Sequence, residues 1–194
     1  MFDQPLLSLL IPTVPRHLEL FQPLWASMMT QTVGRRDVEV FVLLDNRALS
    51  IGAKRGVLLN LARGRHFAFI DSDDRVADDF VNVVLANVSD DTDLLIYRTI
   101  AEIPGAPDCV CDYEVGSARI HSGNPWTRYV GPPAHHHVWR TDLVRDISFP
   151  DQNVGEDFAW AAQAQMRVKN VVKTDRVLYF YRYDMATSES AKVD

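Results

Sequence analysis

A short apolar run that ends in a cluster of carboxylates, at residues 66–74, constrains the fold of this chain more than any other segment. Residues 67–70 predict a buried β-strand. Three acids, Asp71, Asp73 and Asp74, follow within four positions. Like charges this close repel, and each raises the pKa of its neighbour. Because Mg²⁺ and Mn²⁺ prefer hard oxygen ligands and would relieve this repulsion, the segment predicts a metal site for a phosphorylated ligand at a strand end.

The same acids have two other interpretations. Asp73 and Asp74 could cap a helix that begins near Val76, because carboxylates stabilise helix N-termini. A phosphatase of the haloacid dehalogenase type also carries Asp-x-Asp after a strand, with Asp71 as nucleophile, but it uses its first strand, whereas these acids follow the third predicted strand. An EF-hand loop is excluded, since it requires glycine at the position of Val76.

Strand and helix patterns alternate through the first half of the chain. Apolar runs predict strands at residues 6–11, 38–44, 67–70 and 94–100. Apolar residues at helical spacing lie between them, and Gly64 ends the second of these helices. This β-α-β-α-β-α-β order predicts an α/β fold with a mostly parallel sheet covered by helices.

The second half of the chain is less regular. Residues 104–134 hold much of the proline and glycine, and they predict a long loop or hairpin region over the sheet edge. A helix is predicted at about 156–166, and one or two late strands at 171–181. Trp126 and Trp139 are candidates either for the core or for a platform on which a sugar stacks.

Composition narrows the class of protein. A chain of 194 residues is long enough for one domain with a sizeable core. No run approaches the ~20 apolar residues of a membrane span, and no basic segment precedes the first strand, so we expect neither a membrane span nor a signal peptide. Cys109 and Cys111 are too close for a disulfide scaffold, which favours a reduced, cytoplasmic setting. The net charge of -6 argues against a broad nucleic-acid-binding surface.

Further polar residues follow the other predicted strands. They are Thr13 and Arg16 after the first strand, Asp45 after the second, and the pair Glu156 and Asp157 at the start of the late helix. Residues 52–55, Gly-Ala-Lys-Arg, open the second helix, where backbone N–H groups and two cations could meet phosphate. Neither G-x-G-x-x-G after the first strand nor a P-loop sequence is present, so a Rossmann-type dinucleotide site and a P-loop are unsupported.

Each of these features also has an ordinary structural explanation. Asp45 could be a turn residue, and Asp157 could be an acid that stabilises the first turn of its helix. Lys54 and Arg55 could form a solvated helix face. Each feature alone is therefore weak evidence for a ligand site. The order and spacing of all of them along the chain are more specific evidence.

Together with Asp-Ser-Asp at 71–73, these features resemble family 2 glycosyltransferases of the GT-A fold over nearly the whole chain. The resemblance implies a single GT-A domain over residues 1–194 with a mixed, mostly parallel central sheet. Its parts would be a nucleotide-sugar-binding half, an acceptor-side half and a polar tail that we expect to be mobile, at residues 1–103, 104–184 and 185–194. Two elements depart from the family pattern: Gly56 replaces a common asparagine, and residues 46–50 replace an acidic-Gly-Ser element.

On the donor side, the resemblance implies a role for each matching residue. Thr13 and Asp45 would line the pocket for the nucleotide base, with Asp45 bonding the base. Arg16 is a further candidate for contact with the donor. Lys54 and Arg55 match a basic pair that precedes the acidic motif in the family.

Around the reacting groups, Asp71 and Asp73 match the D-x-D pair that holds Mn²⁺ or Mg²⁺ and the diphosphate of the sugar nucleotide. We expect Asp73 to be a direct metal ligand, and Asp71 to bind the donor ribose or to share the metal. Glu156 and Asp157 match the acceptor-side pair, with Asp157 as general base.

Three adjacent histidines at 135–137 resemble the segment that precedes the acceptor-side pair. Neighbouring residues of a strand point to opposite faces, so we predict that His135 and His137 share one face and that His136 takes the other. We expect His135 or His137 to face the metal or the diphosphate.

The predicted activity is metal-dependent, inverting transfer of a sugar from a nucleotide-sugar, with a UDP-sugar as the expected donor, to a hydroxyl of a glycan or another polar acceptor. Compact members of the family include bacteriophage enzymes that glycosylate hydroxymethylated bases in DNA. Such an acceptor could bind along the arginines of the acceptor half, namely Arg119, Arg128, Arg140, Arg145 and Arg167. A non-catalytic module that binds sugar nucleotides, and a haloacid dehalogenase-like phosphatase, are the alternative hypotheses.

Overall fold

The computed structural model describes residues 4–123 and 127–183, so Trp126 and the polar tail predicted at 185–194 lie outside the described residues. The strands are β1 (Leu7–Thr13), β2 (Val38–Leu44), β3 (His66–Phe69), β4 (Arg75–Val76), β5 (Leu94–Glu102), β6 (Cys109–Tyr113), β7 (Ile120–Ser122), β8 (Arg128–Gly131), β9 (Val138–Arg140) and β10 (Val171–Arg182). The α-helices are α1 (Leu18–Thr32), α2 (Ile51–Leu61), α3 (Phe80–Asn87), α4 (Thr141–Val144) and α5 (Glu156–Ala164).

Strands from both halves of the chain form one mixed sheet in the order β2-β1-β3-β9-β5-β6-β8-β7, with β10 paired to β5 and to β4. The parallel pairs are β1–β2, β1–β3, β5–β10 and β6–β8, and they hold most of the paired residues. The prediction of an α/β fold with a mixed, mostly parallel sheet is therefore confirmed. The short strand β9 was not predicted; it enters antiparallel between β3 and β5.

The central strands are buried on both faces, which explains why they read as unbroken apolar runs. All residues of β1 and β3 are buried. One core cluster packs α2 and α5 against the sheet, and it contains Trp139 and Trp160. The opposite cluster packs α1 and α3 against the other face. Trp139 is fully buried and its Nε1 donates a hydrogen bond to the Ala134 carbonyl at 3.1 Å, so this residue belongs to the core rather than to a sugar platform.

In two regions the structure decides between sequence-based alternatives. Residues 104–134, predicted as a long loop or hairpin region, follow the hairpin alternative: they contain the short strands β6, β7 and β8, which extend the sheet, and β7 pairs antiparallel with β8. The helix predicted near Val76 is instead strand β4, and α3 begins only at Phe80. Asp73 and Asp74 therefore do not cap a helix.

Asp74 has a structural role in this arrangement. Its carboxylate accepts hydrogen bonds from Tyr179 Oη at 2.6 Å and from the Arg182 N–H at 2.8 Å, and it is 2% exposed. These bonds attach the acidic turn after β3 to strand β10, which positions Asp71 and Asp73 at the edge of the sheet.

A membrane-crossing helix is absent from the described ranges, since none of their helices is both long enough and apolar enough.

Candidate functional site

A cavity of about 480 Å³ opens where β1 and β3 end, at the edge of the sheet where open α/β folds bind ligands. Most of the sequence-predicted site residues line it, namely Thr13, Lys54, Arg55, Asp71, Asp73, His135, Glu156 and Asp157. Asp45, Arg16 and His137 do not line it. The fold thus brings residues from both halves of the chain around one space.

Asp71 is held by cations on both of its carboxylate oxygens. Arg55 Nη2 lies 2.9 Å from Oδ1, and His135 Nε2 lies 3.1 Å from Oδ2. The backbone N–H of Asp71 donates to Tyr179 Oη at 3.1 Å. Burial raises the pKa of Asp71, but the charges of Arg55 and His135 outweigh burial and hold the pKa well below its usual range. Asp71 is therefore a fixed anion.

Asp73 faces the same cavity, and among the described residues no other side chain forms a hydrogen bond or ion pair with its carboxylate. Burial and the charge of Asp71 raise its pKa, while His17 and Arg16 oppose that shift. A divalent cation between the two carboxylates would relieve this repulsion. Asp73 therefore fits the predicted metal ligand by its chemistry.

The carboxylates of the site fit a metal ion that takes its remaining ligands from the substrate and from water. They do not fit a metal ion whose ligands all come from the protein. Residues 4–123 and 127–183 contain no group of three or more His, Cys, Asp or Glu side chains arranged to hold a metal. Mg²⁺ in phosphate-transferring sites commonly takes one or two carboxylates and completes its shell with substrate phosphates and water. Asp73, with Asp71 beside it, offers that number of carboxylates.

Arg55 joins the two halves of the site. It is 3% exposed, and its Nε lies 3.3 Å from Glu156 Oε1 while its Nη2 contacts Asp71. The guanidinium also lies over the Phe69 ring, 5.3 Å from the ring centroid. Burial lowers the pKa of Arg55, but the negative charges of Asp71 and Glu156 outweigh burial and raise it above its usual value. The guanidinium therefore stays protonated. Arg55 is a buried link between acids and not a solvated helix face.

His135 lies between the donor-side and acceptor-side acids. Its Nε2 contacts Asp71, and its Nδ1 lies 3.0 Å from Asp157 Oδ2, an ion-pair distance without the alignment of a hydrogen bond. Burial and Arg55 lower the pKa of His135, but Asp71 and Asp157 outweigh them and raise it to about 9. Burial raises the pKa of Asp157, but contact with His135 lowers it well below its usual range.

The prediction that His135 and His137 share a face is wrong, because residues 135–137 form a turn before β9 and strand alternation does not apply to them. The fully buried His137 ring contacts the carbonyls of Tyr97 and Ala134 at 3.3 and 3.2 Å, away from the cavity. Burial lowers the pKa of His137 to about 4. His136 borders the cavity instead, with its ring stacked on Tyr179 at 4.6 Å.

Lys54 and Asp45 pair with each other beside the cavity. Lys54 is 2% exposed, forms an ion pair with Asp45, and donates to the Thr13 carbonyl at 3.2 Å. Asp45 also accepts a hydrogen bond from the Leu49 N–H at 2.8 Å. Because Asp45 does not border the cavity, the structure does not support its predicted bond to a nucleotide base. Arg16 lies exposed in a 3₁₀ helix, Pro15–His17, and likewise does not border the cavity.

The N-terminus of α2 is occupied by protein groups, contrary to the expectation that it meets phosphate. The Ile51 and Gly52 N–H groups donate to Asn153 Oδ1 and to the Gln152 carbonyl, at 3.0 and 3.1 Å. The Ala53 N–H donates to Ser50 Oγ at 3.0 Å. The segment that satisfies these groups leads directly into α5, so this contact sets the position of Glu156 and Asp157.

Gly52 allows this close approach, and substitution should disturb it. A Cβ at position 52 would lie 1.8 Å from the Pro150 carbonyl oxygen, whereas a Cβ at Gly56, one turn later, would meet nothing within 4 Å. We expect Gly52→Ala to destabilise the protein by ~1–3 kcal/mol, as overpacking does. Gly56→Ala is the matched control, and its better helix propensity should stabilise the protein by ~0.5–1 kcal/mol. Thermal unfolding measures both, and equal effects of the two variants would contradict the contact.

Several cavity residues carried no sequence signal. They belong to no motif and come from four elements, with Tyr179 and Tyr181 both in β10; the residues are His17, Thr99, Tyr113, Tyr179 and Tyr181. The His17 Nδ1 lies 3.2 Å from Ser72 Oγ, in the acidic turn. Within the described chain, four buried side-chain atoms of residues that line the cavity lack a hydrogen-bond partner, namely Thr13 Oγ1, His17 Nε2, Arg55 Nη1 and His135 Nδ1. Unpaired buried polar atoms are costly, so this wall suits a polar ligand.

The arginines of the acceptor half do not share one groove. Arg128 pairs with Asp112, Arg140 with Asp93, and Arg167 with Asp146. Arg145 donates to carbonyls at the end of α2. Arg119 differs, because it lies over the Phe158 ring beside the acceptor-side acids, 3.9 Å from the ring centroid. A DNA acceptor would require these five arginines to line one groove, and their contacts with protein groups do not support that condition.

Comparisons with known proteins identify the fold. No protein-family model and no curated protein sequence matches the chain. Among solved structures, S. aureus TarS 1–349 in complex with UDP-GlcNAc matches with a TM-score of 0.72 and 16% identity, over 97% of this chain and 61% of that one. The mannosyltransferase PcManGT from Pyrobaculum calidifontis in complex with GDP-Man and Mn²⁺ matches with a TM-score of 0.62 and 11% identity, over 97% of this chain and 60% of that one. The chain has the GT-A fold and spans about three fifths of the length of these structures.

Proposed function

We propose that the protein is a glycosyltransferase that moves a sugar from a nucleotide-sugar to a hydroxyl of a polar acceptor, with inversion at the anomeric carbon. One observation carries the proposal: a single cavity joins Asp71 and Asp73 to Asp157. Its volume of about 480 Å³ falls within the range of small-molecule sites. Proteins of the same fold were crystallised with UDP-GlcNAc and with GDP-Man and Mn²⁺, which supports this class of donor.

On the donor side, Asp73 and Asp71 would hold Mn²⁺ or Mg²⁺ together with the donor diphosphate. Such a cation supplies charge neutralisation for the departing nucleoside diphosphate. Arg55 contributes by keeping Asp71 anionic and in place, since it contacts that carboxylate at 2.9 Å. A UDP-sugar is our expected donor.

On the acceptor side, Asp157 is the proposed general base. The acceptor hydroxyl oxygen forms a bond to the anomeric carbon as the bond from that carbon to the diphosphate oxygen breaks, and the hydroxyl proton passes to Asp157. The lowered pKa of Asp157 makes it a weak base towards a free hydroxyl. Proton transfer must therefore accompany bond formation, when the hydroxyl becomes acidic. Glu156 is 4% exposed and paired with Arg55, so its part is structural.

The acceptor would bind in a smaller cavity next to the first. This space, about 140 Å³, shares Tyr113, Ala134 and Asp157 with the larger cavity. Its wall includes the ring of Tyr129 and the ring of Phe158, which is 47% exposed. Half-exposed aromatic rings beside a catalytic carboxylate suit a sugar ring or another polar molecule with an apolar face.

Phe158→Ala is expected to weaken acceptor binding without impairing the donor side. Loss of one aromatic contact is worth about 0.5–1.5 kcal/mol, so we expect the KM for the acceptor to rise about 2–10-fold while the donor affinity stays the same. Met166→Ala is a suitable control, because Met166 is 85% exposed and borders neither cavity. An unchanged acceptor KM would argue against this cavity.

A donor screen tests the proposed function itself. The protein is incubated with UDP-, GDP- and other nucleotide-sugars in the presence of Mn²⁺, and the release of nucleoside diphosphate is followed by mass. We expect one donor to be hydrolysed slowly without acceptor, and the reaction to stop when EDTA removes the metal. Failure of every donor to bind or react would contradict the proposal.

The two alternative functions fit the site less well. A phosphatase would need Asp71 as a strong nucleophile, but the ion pairs with Arg55 and His135, at 2.9 and 3.1 Å, hold the pKa of this carboxyl well below its usual range and make it a poor one. A non-catalytic binding module would have no need for Asp157 at the meeting point of the two cavities. Donor hydrolysis distinguishes a transferase from both alternatives.

A further inference from the structure

We infer that His135 is a positioning residue, which fixes the orientation of Asp157 by tying it to the donor-side carboxylate Asp71. The inference rests on the proposed function, because it assigns Asp157 the role of base. It replaces the expectation that His135 binds the metal or the diphosphate directly.

The occupancy of both ring nitrogens supports this role. Nε2 lies 3.1 Å from Asp71 Oδ2, and Nδ1 lies 3.0 Å from Asp157 Oδ2. His135 is 7% exposed, and the Phe69 ring packs against it with 6.4 Å between ring centroids. To bind a metal through either nitrogen, the ring would have to give up one of its two carboxylates.

The contacts from Asp71 through His135 to Asp157 form a bridge, and its Asp71 end is held in place by other residues. Asp71 contacts Arg55 at 2.9 Å, and its N–H donates to Tyr179 Oη at 3.1 Å. Arg55 is in turn paired with Glu156, the residue next to Asp157. Asp71 is therefore held by two protein elements, and His135 extends that rigid unit to Asp157.

The other end of the bridge is where orientation matters. The Asp157 side chain is 35% exposed and borders both cavities. Its Oδ1 accepts a hydrogen bond from the Phe158 N–H at 2.7 Å, and His135 is the side chain that holds the second carboxylate oxygen, Oδ2, at 3.0 Å. A displacement of about 1 Å in a catalytic group can cost ~10²-fold in rate. Loss of the bridge would therefore reduce turnover through Asp157 rather than through donor binding.

A double-mutant cycle on kcat tests the inference. We expect His135→Ala to lower kcat by about 10–100-fold while the affinity for the nucleoside diphosphate, measured by calorimetry with Mn²⁺, changes less than about threefold. In a protein that already carries Asp157→Asn, adding His135→Ala should lower kcat no further, because the base whose position it controls is gone. His135→Asn should restore part of kcat, since its amide can still donate towards Asp157.

The outcomes separate the two proposals. In one outcome, the native protein turns over its donor while His135→Ala and Asp157→Asn lower kcat independently, so that their effects multiply in the double variant. That result would overturn the positioning role and assign His135 a direct contact with metal or donor. A large loss of nucleoside diphosphate affinity in His135→Ala would do the same. No turnover of any donor by the native protein would contradict the proposed function, and the positioning role with it.

Discussion

Asp73→Ala should abolish metal-dependent donor binding while the protein remains folded. Asp73 borders the cavity without an ion pair to the described chain, and burial and Asp71 raise its pKa. Removing this carboxylate takes away the repulsion with Asp71 and breaks no hydrogen bond or ion pair with another side chain, so the free energy of unfolding should change little. Calorimetric titration of UDP in the presence of Mn²⁺ measures the loss directly, and thermal unfolding checks the fold.

Asp78→Ala provides the matched control for this experiment. Asp78 is an exposed acid a few residues further along the chain and does not border the cavity. The control should bind UDP and Mn²⁺ as the native protein does. If Asp73→Ala also retained its UDP and Mn²⁺ affinity, the metal assignment would have to be abandoned.

Asp157→Asn should lower turnover by ~10²–10⁴-fold, the usual contribution of acid–base catalysis, with donor affinity nearly intact. Asparagine preserves the size of the side chain and an oxygen towards His135, but it cannot take up the acceptor proton. The donor-side acids Asp71 and Asp73 are unchanged, so nucleotide binding should persist. Steady-state kinetics with the donor found in the screen gives kcat, and calorimetry gives the donor affinity.

Asp142→Asn is the corresponding control, because Asp142 is also an acid in the first turn of a helix but borders neither cavity. It should leave kcat unchanged. Retained turnover in Asp157→Asn would move the base to another group, and Glu156 could be tested next by Glu156→Gln together with a measurement of stability.

The local part of the fold was predictable from the sequence alone. Strand β2 was predicted with the bounds that the structure has, Val38–Leu44. β1 and β3 were predicted within one or two residues, since a strand buried on both faces reads as an unbroken apolar run. The acids after β3 were recognisable because clustered carboxylates at a strand end have few structural explanations. Periodicity and charge over a few neighbouring residues carry this information.

Contacts between distant residues were decided by the tertiary structure alone. The sequence identified Asp71, His135 and Asp157 separately, but nothing in it indicated that the imidazole lies between the two acids. Asp71 and His135 are 64 residues apart, and Arg55 and Glu156 are 101 apart. Their meeting depends on how β9, the turn before it and the start of α5 pack against the first half.

Packing between distant parts of the chain also explains the residues whose position the sequence predicted wrongly. His137 was assigned to the site by strand alternation, but a turn directs its ring into the core. Asp45 was assigned to a nucleotide base, but it lies off the cavity and pairs with Lys54, which does line the cavity. The residue types along the chain determined which chemistry was available, a set of acids, histidines and cations at strand ends. Long-range packing alone decided which of those groups pair with each other and which remain open to a ligand, because burial forces each charge to take the partner that the fold places beside it.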